Sequence, residues 1–145
     1  MKRSQITRVL IEGDPGLSRK LCEQIERGHA VAIVRGPEKS LVMGKARDSV
    51  SRQPFYLGEI LVTECVVDIG GTHGIGVLIG EHPERAYELA VIDAALNAGL
   101  SETKDWTDEF RAEEARIASR LKREHALVMK TKVQFDTMEE SYGNR

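Results

Sequence analysis

The sequence predicts an α+β domain: an antiparallel four-stranded sheet with a helical hairpin before it and helices after it. Apolar residues recur at helical spacing up to Ile25, change to a period of two from His29, and return to helical spacing from Pro83. Short turns join the strand segments, which suits antiparallel neighbours, since parallel ones need long crossovers. The length of 145 residues, 41% hydrophobic and 30% charged, suits one domain with one core. Within the single domain 1–145 the hairpin takes 1–28, the sheet 29–81, the helices 82–130 and a tail 131–145.

The hairpin rests on two apolar stripes, Ile6, Val9, Leu10 and Leu17, Leu21, Cys22, Ile25, separated by Gly13-Asp14-Pro15-Gly16. Asp14 is placed to N-cap the second helix, with Pro15 at its first position, where no N–H is required. Gly28 ends it. Arg3, Arg8, Arg19, Lys20 and Arg27 lie mainly off the stripes.

The first strand holds Val31 to Val34, and Gly36-Pro37-Glu38 is expected to turn the chain. A second strand opens at Leu41 and ends near Asp48, followed by a polar loop to Pro54. The third, Phe55 to Ile69, is apolar on both faces, which predicts a central strand covered on two sides. Gly70-Gly71-Thr72 closes a hairpin into a fourth strand, His73 to Gly80.

Pro83 to Ala98 is helical and ends at Gly99. It carries two apolar stripes: Tyr87, Ala90, Val91, Ala94, Ala98, and Leu89, Ile92, Leu96. Asp93 and Asn97 lie between them. Two apolar faces exceed what one sheet covers, so this helix is expected to meet a partner protein. The last helix follows Asp105, its expected N-cap. It runs through Trp106, Phe110, Ile117, Leu121 and Val128, with Glu113, Glu114 and Arg116 among its surface charges. In the tail, Val133-Gln134-Phe135-Asp136-Thr137-Met138 is expected to be extended.

Lys and Arg number 21 against 23 Asp and Glu, for a net charge of -2. This balance argues against a nucleic-acid coat or a polybasic membrane binder. It conceals an uneven spread, +4 over residues 1–50 and -5 over 51–100. No apolar stretch is long enough for a membrane span, and Met1 to Gln5 lacks a signal-peptide core. A cytoplasmic location is expected, with Cys22 and Cys65 reduced and serving as small buried hydrophobes.

The glycine-rich run from Gly70 to Gly76 lacks the Lys-Ser/Thr of a phosphate loop and leads into a strand. Gly74 and Gly76 share one strand face, where a backbone or a ligand could approach closely. Packing of the Pro83–Ala98 helix is the simpler use of that room. The histidines His29, His73, His82 and His125 show no ligand spacing, so no metal is expected on this chain alone. Glu59 follows Gly58 in the central strand, on the side of Leu57 and Leu61. A glutamate buried there needs a partner or a raised pKa, which makes it the candidate catalytic residue; Arg47 or Lys45 would be its structural partner. Asp93 draws the same attention in an otherwise apolar helix.

These segments in order resemble the PhnG family, the G subunit of the carbon–phosphorus lyase core complex. The resemblance is carried by Arg35-Gly36-Pro37-Glu38-Lys39-Ser40-Leu41-Val42-Met43-Gly44-Lys45-Ala46-Arg47 and Pro54-Phe55-Tyr56-Leu57-Gly58-Glu59-Ile60-Leu61-Val62-Thr63. The Gly74-x-Gly76 strand, Ile92-Asp93-Ala94 and the run from Val133 to Met138 complete it. Asp136 stands where a second phenylalanine is common, and Glu64 where an arginine is common. The resemblance implies a non-autonomous transferase subunit of phosphonate catabolism, working with the H, I and J proteins and transiently with K and L. The complex would transfer ribose 5-triphosphate from ATP to methylphosphonate with release of adenine. ATP would be the complex's co-substrate, this chain would hold no cofactor alone, and iron–sulfur and S-adenosylmethionine chemistry would belong to the J protein. Gly58, Gly74, Gly76, Asp93, Phe135 and Met138 are the candidate interface or ligand-approach positions. A transcription regulator is the alternative, with Leu17 to Gly28 as recognition helix, although the acidic totals disfavour it. A stand-alone ribosyl-transferring enzyme is a third reading.

Overall fold

A computed structural model of the chain describes residues 1–132. Its elements are α1 (Arg3–Glu12), α2 (Pro15–Gly28), β1 (Ala32–Arg47), β2 (Pro54–Ile69), β3 (Thr72–Ile79), α3 (Pro83–Ala98) and α4 (Trp106–Lys130). The helical hairpin forms as expected. Asp14 caps α2 by accepting from the Gly16 N–H at 2.9 Å, and Pro15 opens the helix.

The sheet has three strands, not four, in the order β1-β2-β3, with both pairings antiparallel. Gly36-Pro37 does not turn the chain. Arg35 pairs with Val66 and Glu38 with Glu64, so β1 advances three residues while β2 advances two. The surplus residue is taken up as a bulge in one continuous edge strand, where proline's missing N–H is tolerated. The turn at Gly70-Gly71 is as expected: both residues adopt positive φ, 60° and 85°, which a two-residue hairpin requires.

On β3 the pattern alternates cleanly. Gly74, Gly76 and Leu78 are buried while Ile75, Val77 and Ile79 are exposed. The buried side, with Cys65, Val67 and Ile69 of β2, belongs to the core that holds Ala86, Ala90 and Ala94 of α3. The second apolar stripe of α3 is not left for a partner. Leu89 and Ile92 join Ile6, Val9 and Leu10 of α1 and Leu21, Cys22 and Ile25 of α2 in the same core. Three layers result, with α3 between the sheet and the hairpin, and its stripes were two because it has a layer on each side.

α4 closes the outer layer. Trp106 and Phe110 are buried edge to face at 6.2 Å between ring centroids, and Trp106 Nε1 donates to Gln24 Oε1 at 3.0 Å. Asp105 has helical dihedrals and no side-chain cap bond, because a 3-10 turn, Ser101–Lys104, leads into the helix. Glu113 is buried rather than a surface charge. Its carboxylate accepts from the Asp14 N–H at 2.9 Å and from Arg116 at 3.2 Å, which holds the α1–α2 link against α4.

The expectation for the central strand holds for half of it. β3 pairs with β2 only from Val62 to Ile69. Before that point the β1–β2 ladder continues alone, from Leu41↔Leu61 to Arg47↔Pro54, as a two-stranded arm. Leu41, Val42, Met43, Phe55, Tyr56, Leu57, Ile60 and Leu61 are all exposed on it.

Candidate functional site

The candidate residues fall in two places. Gly74, Gly76 and Asp93 meet where β3 crosses α3. A Cβ on Gly74 would overlap the Ala94 N and the Ala90 O, and one on Gly76 would overlap the Ala86 O. The missing side chains therefore admit the α3 backbone, and no room is left there for a ligand. Asp93 is a hub. One carboxylate oxygen accepts from Arg3, and the other accepts from the Ile75 N–H at 3.1 Å and from Asn97 Nδ2 at 3.1 Å. Asn97 Nδ2 also donates to the His73 carbonyl at 3.0 Å, and its Oδ1 accepts from Arg3 at 2.7 Å. Asp93 and Asn97, one turn apart on α3, thus satisfy outward-facing backbone groups of an edge strand.

Sequence reasoning found Asp93 and its i,i+4 spacing to Asn97 but missed Arg3, which is ninety residues away and carries no local signal. Asp93→Ala leaves the Ile75 N–H without its acceptor and Arg3 without its counter-charge. The expected cost is about 1–3 kcal/mol, read from urea unfolding together with faster amide exchange at Ile75. An unchanged Ile75 amide would contradict this role.

Gly58 and Glu59 lie on the arm, away from that junction. Gly58 pairs with Gly44 and has φ +138°, a conformation that residues with a side chain rarely adopt, and the ladder slips just beyond the pair. Glu59 is exposed, not buried, and neither Arg47 nor Lys45 forms an ion pair with it among the described residues. The reason is the missing third strand and helix over this stretch. Its neighbours on the same face are Leu61 along β2, Met43 opposite on β1 and, two residues beyond Met43, Lys45. The carboxylate stands on an exposed face of the arm. Phe135 and Met138 lie outside the described residues.

A family model described as phosphonate metabolism protein PhnG matches residues 1–140. The chain belongs to the PhnG family. It is 31% identical over 126 residues to the Rhizobium meliloti (strain 1021) protein named alpha-D-ribose 1-methylphosphonate 5-triphosphate synthase subunit PhnG, covering 78% of this chain and 81% of that protein.

In this PhnG-family chain several other polar groups have local partners. His29 Nε2 lies 3.0 Å from Glu102 and His73 Nε2 lies 3.4 Å from Asp68. The His82 N–H donates to Thr63 Oγ1 at 3.0 Å at the entry to α3. Among the described residues no group of three His, Cys, Asp or Glu is placed to hold a metal ion. Both cysteines are buried. Burial, helped by the nearby carboxylates of Glu26, Glu88 and Glu23, pushes the Cys22 thiol up to about 12. It stays a neutral thiol at physiological pH and is no nucleophile.

The helix expected to read DNA under the regulator reading is wedged in the core by Leu21, Cys22 and Ile25. Its bases are answered by acids within the chain, Lys20 by Glu109 at 2.7 Å and Arg19 by Glu88 at 3.6 Å. Glu88, itself buried, also accepts from Ser18 Oγ at 2.6 Å. No helix among the described residues is long and apolar enough to cross a membrane.

Proposed function

We propose that this chain is a cytoplasmic subunit of an alpha-D-ribose 1-methylphosphonate 5-triphosphate synthase. The observation that carries the reading is membership of the PhnG family over residues 1–140, with a relative named as a subunit of that synthase. In this role it works with the H, I and J proteins, and transiently with K and L. The assembly transfers ribose 5-triphosphate from ATP to methylphosphonate and releases adenine. ATP is a co-substrate of the assembly, and iron–sulfur and S-adenosylmethionine chemistry belongs to the J protein.

Displacement at an anomeric carbon needs a stabilised leaving base, an oxygen nucleophile held in line, and donors for the triphosphate charge. The described residues pair most of their charges with one another, which supports a subunit that completes a site instead of a self-sufficient enzyme. Glu59 is the residue assigned nearest to the transfer site, as an exposed carboxylate without an ion-pair partner among the described residues.

The test is co-expression with the H, I and J proteins, pull-down on this chain, and measurement of adenine released from ATP in the presence of methylphosphonate and the L protein. Adenine release is expected to require this chain, and Glu59→Gln is expected to lower it while the assembly persists. Release at the full rate without the chain would overturn the reading.

A further inference from the structure

The bases that β1 carries on the body of the sheet are answered within the chain, Arg35 by Glu64 at 2.9 Å and Lys39 by Glu81 at 2.8 Å. Those of the arm are not. Lys45 and Arg47 on β1, and Arg52 in the loop at the tip, are exposed and have no ion pair among the described residues. The one carboxylate of that loop, Asp48, is turned to the loop itself. It accepts from the Ser51 N–H at 2.8 Å and from the Ser51 hydroxyl.

The register gathers the bases at one end of one face. Gly44 pairs with Gly58 but Lys45 with Tyr56, so the surplus residue, Leu57, lies on β2. A strict ladder would set Leu57 opposite Lys45 and turn Tyr56 to the other face. The bulge instead sets Tyr56 against Lys45 and Pro54 against Arg47, on the face of Met43 and Glu59. Lys45 Nζ lies 5.7 Å from the centre of the Tyr56 ring, a cation–π distance that holds the ammonium in place. Lys45 and Arg47, two residues apart in an extended strand, are spaced by about 7 Å. Arg52 brings a third charge to the same hairpin end, where the Asp48 N–H donates to the Gln53 carbonyl at 3.0 Å and closes the loop. Its φ of 55° is one that residues with a side chain rarely adopt, so the loop's geometry gives no reason for an arginine there. Glu59 stands further in on the same face, with Lys45 between it and the tip.

We propose that the tip of this arm binds the polyphosphate chain of a nucleotide, gripped by Lys45, Arg47 and Arg52. Arginine forks take phosphate oxygens in pairs and lysine adds a mobile point charge, which together suit a flexible chain of several phosphates. A single carboxylate would leave two of the three bases unanswered, whereas a triphosphate engages them all. Nucleic acid fits less well. It needs a basic track, and inward along β1 the next bases, Arg35 and Lys39, are already paired. This proposal rests on the subunit reading above and adds which residues take the triphosphate of the co-substrate.

The first test is calorimetric titration of the free full chain with inorganic tripolyphosphate. Binding is expected, weakening as salt is raised. Lys45→Gln, Arg47→Gln and Arg52→Gln are each expected to reduce the affinity at least fivefold. Lys122→Gln and Arg123→Gln, on the exposed end of α4, are expected to leave it unchanged. All five side chains are exposed, so each variant should keep the wild-type circular dichroism. Absence of binding, an equal loss from the α4 variants, or tighter binding of a single-stranded oligonucleotide than of tripolyphosphate overturns the proposal. The second test uses the chain co-expressed with the other subunits of the proposed assembly. The three arm variants are expected to raise the KM for ATP in adenine release at least tenfold, with partners retained and kcat within about twofold of wild type. An unchanged KM overturns the proposal. Loss of the partners from these variants also overturns it, since the bases would then be meeting a neighbour's carboxylates. Failure of the wild-type chain to co-purify with any of those subunits overturns the subunit reading, while the titration of the free chain still decides the site.

Discussion

Gly76→Ala is expected to be the most damaging small substitution in the molecule. A single added methyl group meets the Ala86 carbonyl and the Ala90 N of α3, which are backbone atoms of a helix held from both sides. A flexible side chain could move aside, but this helix can yield only by separating from the sheet. Over-packing in a core costs about 1–3 kcal/mol when neighbours can shift. Here the obstacle is main chain, and the expected loss is about 4 kcal/mol or more, a large share of a typical domain's stability. The measurement is urea unfolding, with Ile75→Val on the outward face of the same strand as a control expected to change stability by less than about 1 kcal/mol. A Gly76→Ala protein as stable as its parent would mean that α3 does not pack on β3 at the distance described.

Trp106→Ala is the second. The indole is 1% exposed, packs on the Phe110 ring, and donates to Gln24 of α2. Truncation opens a cavity and removes a hydrogen bond, for an expected loss of about 3–5 kcal/mol. Since Trp106 is the only tryptophan in the chain, unfolding is followed by circular dichroism at 222 nm. The damage should be local at first, with amide exchange accelerating along α4 and α2 while the β2–β3 ladder keeps its protection. Uniform acceleration throughout would show instead that α4 and the sheet unfold as one unit.

Much of the architecture could be read from residues whose preferences are local. Asp14-Pro15 starts α2, Gly70-Gly71 makes the hairpin, and Gly99, with φ 64°, ends α3. What escaped depends on distant contacts. Gly36-Pro37 carries the local signature of a turn, yet β2 runs unbroken alongside it and imposes a bulge. The two stripes of α3 signalled double burial correctly, but periodicity cannot say whether a second layer comes from the same chain. Glu59 looked buried because its flanking residues are apolar, and only the ladder shows that β3 stops at Val62↔Ile79, short of it. The apolar surplus that the sequence displayed was real and was assigned to the wrong element. It belongs to the arm.

The polar clasp on β3 also has a bearing on solubility. An incoming strand at that edge finds the His73 carbonyl and the Ile75 N–H already bound by Asn97 and Asp93. Among the described residues the far edge, along β1, has no such clasp. Fibrils grow only when each added sheet offers a fresh edge equivalent to the one it used. A chain whose ladder is stoppered on one side can be extended from the other and then has nowhere further to grow, so a protein with this much exposed aliphatic surface is guarded against end-to-end polymerisation while it waits for its partner.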